Sequence, residues 1–256
     1  MENKENIIKL INELGINNST NETLNINNTV FYKNTNALMM ASYFGFDDIV
    51  ENLIENGINI NAKDINGKLA IMFAIENNNI DIINTLIKNN ADINIQDNKG
   101  ITPIMWASGN CKIDAVKILL ENNADINIKN TYGEKPIIWA SKKDNPEIIQ
   151  LLINSGANVN EEDEDHSSCA MWAAYNNLYD NMKVLIKNGA DINAKNSDGN
   201  NSLMLAAECN SIEVLKLLLE SGSDLYEKDN YGTTALMWAE MLDNKECVRI
   251  LKEYIK

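Results

Sequence analysis

The residues best equipped for chemistry crowd into one short stretch, EEDEDHSSC, running from Glu161 to Cys169. It holds the only histidine of the chain, His166, beside Ser167, Ser168 and Cys169, with five carboxylates immediately before it. A nucleophile activated by a neighbouring base needs a third group to orient that base. Nothing in the sequence marks such a group, so a Ser/Cys–His hydrolase stands only as a remote alternative. Clustered carboxylates can also bind calcium, but this run lacks the spacing of a calcium loop and the glycine at its bend. It reads instead as a solvated acidic finger or as a docking patch for a basic protein. Cys111, Cys169, Cys209 and Cys247 form no C-x-x-C pair, so zinc-ligand spacing is missing and free thiols are expected. The expected catalytic, metal and cofactor sets are therefore all empty.

Charge narrows the partners further. With 22 basic and 37 acidic residues the chain carries a formal net charge of −15. Nucleic-acid affinity comes mainly from Lys and Arg on phosphates, so bare DNA or RNA is disfavoured as a partner. An anionic membrane surface is disfavoured for the same reason, whereas a basic protein is attracted at long range. The opening MENKENIIKLINEL is too acidic and too broken to be a secretory leader, and no uninterrupted apolar span of ~18 residues occurs. The expectation is a soluble, monomeric, cytoplasmic protein, with delivery into a host cell left open.

The elements that must position any site come from a repeat. Alanines at 41, 74, 107, 140, 173, 206 and 239 are each 33 residues apart, and the register runs without insertion from residue 36 to the end. Gly57, Asn90, Asn123, Gly156, Gly189 and Gly222 keep the same spacing. One unit predicts two helices and a turn. Thr102-Pro103 opens the first helix as a cap residue followed by a first-turn proline. Ala115, Val116, Leu119 and Leu120 form the apolar stripe of the second. An acid precedes each such stripe (Asp48, Asp81, Asp114, Glu147, Asp180, Glu213, Glu246), where the helix dipole favours negative charge. Each second helix then closes at Gly or Asn, which tolerate the left-handed conformation.

These features resemble the ankyrin repeat: Asp97…Gly100, Thr102-Pro103-Ile104, Ala107 and the closing Asn90-Ala91-Asp92-Ile93-Asn94 match its length and its Thr-Pro-Leu-His-x-Ala signature. The resemblance covers residues 36–256 and implies an all-α ankyrin-repeat solenoid of seven helix pairs, joined by extended turns, in a single domain. The signature histidine is replaced by Met39, Met72, Met105, Ile138, Met171, Met204 and Met237. Some inter-repeat hydrogen bonding is therefore expected to be lost and made up by methionine packing. Solenoid ends need capping. Lys252 stands where the other units have Ile or Leu, and NIIKLINELG (6–15) is expected to form an N-terminal capping helix followed by a polar loop within residues 1–35.

The resemblance also implies a non-catalytic module that binds another protein through its concave face, using turn tips and first helices. Carried over position by position, the candidates are Tyr43, Phe44, Ile65, Lys68, Lys99, Ile101, Tyr132, Glu134, Lys142, Glu164, Asp165, Tyr175, Asp198 and Tyr231. An acidic inhibitor covering the basic surface of a nucleic-acid-binding protein is the alternative. Trp106, Trp139, Trp172 and Trp238 share a slot with Met40, Phe73 and Leu205, so they read as core residues facing the paired helix. His166 replaces a turn glycine, which predicts a positive φ there.

Overall fold

The computed structural model describes residues 23–26, 29–32 and 36–255. Among these residues, fourteen α-helices follow two short strands. The strands β1 (Thr23–Ile26) and β2 (Thr29–Tyr32) pair antiparallel, with Thr23 opposite Tyr32. They replace part of the expected polar loop. The clue was the alternation in Thr-Leu-Asn-Ile and the β-branched and aromatic Thr-Val-Phe-Tyr, both strand-forming patterns. The capping helix expected at 6–15 lies outside the described residues.

The helices form seven pairs in two compact units, Met1–Asn130 and Thr131–Lys256. In the first unit the pairs are α1 (Ala37–Phe44) with α2 (Asp47–Glu55), α3 (Ala70–Glu76) with α4 (Ile80–Lys88), and α5 (Pro103–Gly109) with α6 (Ile113–Glu121). In the second they are α7 (Pro136–Ser141) with α8 (Pro146–Asn154), α9 (Cys169–Tyr175) with α10 (Tyr179–Lys187), α11 (Ser202–Glu208) with α12 (Ile212–Glu220), and α13 (Ala235–Met241) with α14 (Lys245–Tyr254). Within each unit first helices pack on first helices and second on second. The core is the seam between them. Every repeat alanine from Ala41 to Ala239 is fully buried there, as are Val50, Ile83, Val116, Ile149, Met182, Leu215 and Ile250 or nearly so.

Local signals are met residue by residue. Asn36, Thr102, Ser168, Asn201 and Thr234 cap first helices, their side-chain oxygens accepting from the N–H of Met39, Met105, Met171, Met204 and Met237 at 2.9–3.4 Å. Gly57, Asn90, Asn123, Gly156, Gly189 and Gly222 all have positive φ. The methionines in the signature slot are buried from Met39 to Met204, and Met237 becomes exposed in the last pair. There Lys252 ion-pairs with Glu240 at 2.8 Å, the polar ending the sequence predicts.

Inter-repeat hydrogen bonding is carried largely by asparagine. Asn61, Asn94, Asn160 and Asn193 each accept, through Oδ1, the backbone N–H of Asp92, Asp125, Asp191 and Asp224 in the next repeat, at 2.8–3.1 Å. Asn79 and Asn244 donate through Nδ2 to the last carbonyls of the preceding first helix: Ser42 and Tyr43 for the one, Ala207 and Glu208 for the other. Short polar side chains thus connect neighbours where the signature histidine is missing.

Candidate protein-binding face

Each turn tip is organised by one acid or amide at 33-residue spacing. In the first unit, Asp64 Oδ1 accepts from the N–H of Asn66 and Lys68, and Asp97 Oδ1 from Lys99 and Ile101, all at 2.7–2.9 Å. In the second, Asp163, Asn196 and Asp229 close their tips with the same pair of bonds. Adjacent tips are then tied by backbone. The N–H of Asn98 donates to Asn66 O, that of Glu164 to Tyr132 O, that of Ser197 to Asp165 O, and that of Asn230 to Asp198 O. The tips are therefore fixed in a row within each unit, and the side chains they carry are displayed at low conformational cost.

In the first unit the candidates divide. Ile65 and Lys99 are exposed at tips, and Tyr43 and Phe44 are half-buried, their rings meeting edge-on at 5.2 Å. Ile101 is only 5 % exposed, so its expected place on the binding face is corrected: its side chain packs inward. Lys68 lies over the Trp106 ring, its ammonium 3.8 Å from the centroid and 3.8 Å from Glu76 Oε2.

The second unit brings the larger set together. Tyr132 (57 % exposed), Tyr175 (50 %) and Tyr231 (84 %) stand out from it, with the exposed Glu164, Asp165 and Asp198 on the tips between the first and last of them. Glu134 is buried and ion-paired with Lys142, a correction to its reading as a contact residue. That pairing sets Lys142 over the Trp172 indole, 3.8 Å from the centroid, and Trp172 meets Tyr175 edge-on at 6.0 Å.

The four tryptophans are half-buried, so the core reading of their slot holds only in part. Met40 and Phe73, in the same slot, are buried as expected. A buried indole N–H needs an acceptor, and two of the four find one, while the Nε1 atoms of Trp106 and Trp139 are buried without a partner among the described residues. Trp172 donates to Asp163 Oδ2 at 2.9 Å and Trp238 to Asp229 Oδ2 at 3.0 Å, nine residues earlier in each case. Lysines lie over two of the four indoles, those of Trp106 and Trp172.

The acidic run resolves into separate tasks. Glu161 pairs with Lys135 at 2.9 Å, Glu162 accepts from His166 at 3.0 Å, and Asp163 organises its tip. Only the Glu164 and Asp165 carboxylates are left without a side-chain partner among the described residues. His166 has φ 56°, the left-handed conformation its glycine slot predicts. Ser168 is spent as a helix cap, and burial pushes the Cys169 thiol up to about 12. Such a thiol is inert as a nucleophile at neutral pH.

The Asn61-type ladder and the lysine–tryptophan contacts were missed from sequence. The ladder is visible in hindsight as asparagine recurring at 61, 94, 160 and 193. The lysine contacts couple residues 30 or 38 apart, and no period-33 pattern marks them.

The chain also contains no helix, among the described residues, long and apolar enough to cross a membrane. A search of curated proteins finds no match. The family profile "Ankyrin repeats (3 copies)" matches residues 1–97, 71–163 and 164–256, which together span the sequence. With paired helices at 33-residue spacing, tips closed by Asp or Asn, and a profile covering its whole length, the chain belongs to the ankyrin-repeat family.

Proposed function

We propose that this protein is a non-catalytic recognition module whose second unit binds a protein through its row of turn tips and first helices. The observation that supports this most is the company of Tyr132, Tyr175 and Tyr231. Tyr132 and Tyr231 are held out from tips fixed by backbone hydrogen bonds, and Tyr175 stands exposed at the end of α9. Interface energy concentrates in such residues when they are presented rigidly. A footprint of about 800 Å² would be typical for one partner.

Glu164, Asp165 and Asp198 favour a basic partner, in keeping with the net charge of −15. The broader idea of an inhibitor built on a five-carboxylate finger is weakened by the internal use of Glu161, Glu162 and Asp163. Hydrolase chemistry gains no support from a capped serine and a buried thiol.

The test is capture of the native partner from cell lysate by wild type and by a Tyr132→Ala/Tyr175→Ala/Tyr231→Ala variant, at low and high salt. Loss of one specific protein with unchanged thermal stability supports the reading. Retention of the whole captured set by the variant places the interface elsewhere and refutes it.

A further inference from the structure

Two lysines in this protein occupy the same kind of corner. Lys68 lies on the face of Trp106 and beside Glu76. Lys142 lies on the face of Trp172 and is paired with Glu134. The residues correspond in register: 68 and 134 are equivalent tip positions, 76 and 142 equivalent first-helix positions, and 106 and 172 the tryptophan slot two repeats apart. The charges are merely exchanged between tip and helix. In both corners an indole, a carboxylate and an ammonium meet.

A third corner has the same register, two repeats further on: Asn200 at the tip, Glu208 in α11 and Trp238 in α13, with α11 packed against α13. It has the indole and the carboxylate but no lysine. Asn200 is only 8 % exposed, and its Oδ1 is buried without a hydrogen-bond donor. Glu208 makes no side-chain hydrogen bond or ion pair among the described residues, and burial pushes its carboxyl above the usual range. The backbone around it is secured by Asn244, which donates to Glu208 O at 3.0 Å, and the indole is held by its bond to Asp229. The corner therefore presents a half-buried carboxylate and an indole, with no cation paired to either among the described residues. Leaving the buried Asn200 oxygen unmatched is costly. The exposed Tyr231 and Met241, on the neighbouring tip and helix end, leave apolar surface beside it.

We propose that this corner is a subsite for a lysine side chain of the partner protein, its ammonium resting on Trp238 beside the Glu208 carboxylate. The inference rests on the protein-binding reading above and assigns that partner one chemical feature. A cation on an indole face, once desolvated, gains enough to be selected over an uncharged isostere by roughly tenfold.

The experiment follows the Trp238 indole N–H resonance of the full-length ¹⁵N-labelled protein. The probes are acetyl-Gly-Lys-Gly-amide and its norleucine counterpart. A saturable shift with the lysine peptide, roughly tenfold weaker with norleucine and abolished by Glu208→Gln, is expected. Asn200→Lys provides the second arm. It should place an internal lysine in the corner, as Lys68 does in its own, keep the protein folded and abolish the peptide response. No shift in wild type, an equal shift with norleucine, or a response that survives both variants would overturn the proposal. Failure here together with partner loss in the tyrosine variant removes only the subsite. A positive peptide result with partner retained in that variant removes the tip reading and leaves the subsite standing.

Discussion

Replacing Gly199 by alanine tests whether the tips are coupled to one another or merely lie side by side. Gly199 has φ 81°, and a Cβ there would come within 2.6 Å of Asn230 Oδ1 and 2.7 Å of its backbone nitrogen. Those two groups belong to the next tip, where Asn230 bonds Asp198 O and, through Nδ2, Ser197 O. Gly222 is the control: φ is 87°, but nothing lies within 4 Å of its added Cβ. Gly222→Ala should cost only the left-handed penalty, about 1–2 kcal/mol. Gly199→Ala should add the disruption of two tip bonds at about 0.5–1.5 kcal/mol each, for a total of about 2–5 kcal/mol. Urea unfolding followed by far-UV circular dichroism reads both. Equal destabilisation by the two substitutions would refute the claim that each tip is built against the next.

Three further outcomes follow from the geometry. Leu185→Ala empties a fully buried seam position in α10 and should lower stability by about 2–5 kcal/mol in the same denaturation assay. Burial raises the Asp229 carboxyl, but the N–H groups of Thr233 and Tyr231 and the Trp238 indole outweigh it and hold the pKa below the usual range. A depressed acid stabilises the fold above its unfolded pKa of about 4 and loses that contribution as pH falls through the lower folded value. The stability gap between wild type and Asp229→Asn should therefore shrink steadily in acid titrations monitored by thermal melting. Thiol labelling of the native protein at mildly alkaline pH should modify the exposed Cys111 first. Cys169 and Cys247 are buried, with pKa values pushed up to about 12 and about 11, and should react only on unfolding.

Much of the architecture is legible in the sequence because repeat proteins are stabilised by local and nearest-neighbour contacts. The seam alanines, the capping Thr102 and the positive φ of His166 each follow from a residue's own covalent limits at a fixed place in the period. The strands at 23–32 were harder, since two runs of four residues carry little periodicity. Ile101 and Glu134 show the limit of carrying a binding face over by position. A tip slot that is exposed in one repeat is closed in another, according to what the neighbouring repeat places against it.

Residue types at fixed intervals are enough to set the spacing, the pairing of helices and the identity of the buried stripe, because these depend on side-chain size and backbone permission at single positions. Which charges are spent and which remain available emerges from the folded arrangement. Folding draws three of five clustered acids into internal bonds, lays two lysines on two indoles, and leaves Trp238 and Glu208 without a cation among the described residues. An ionic or cation–π contact depends on where two side chains from different repeats meet, and that distance is not encoded in either residue alone.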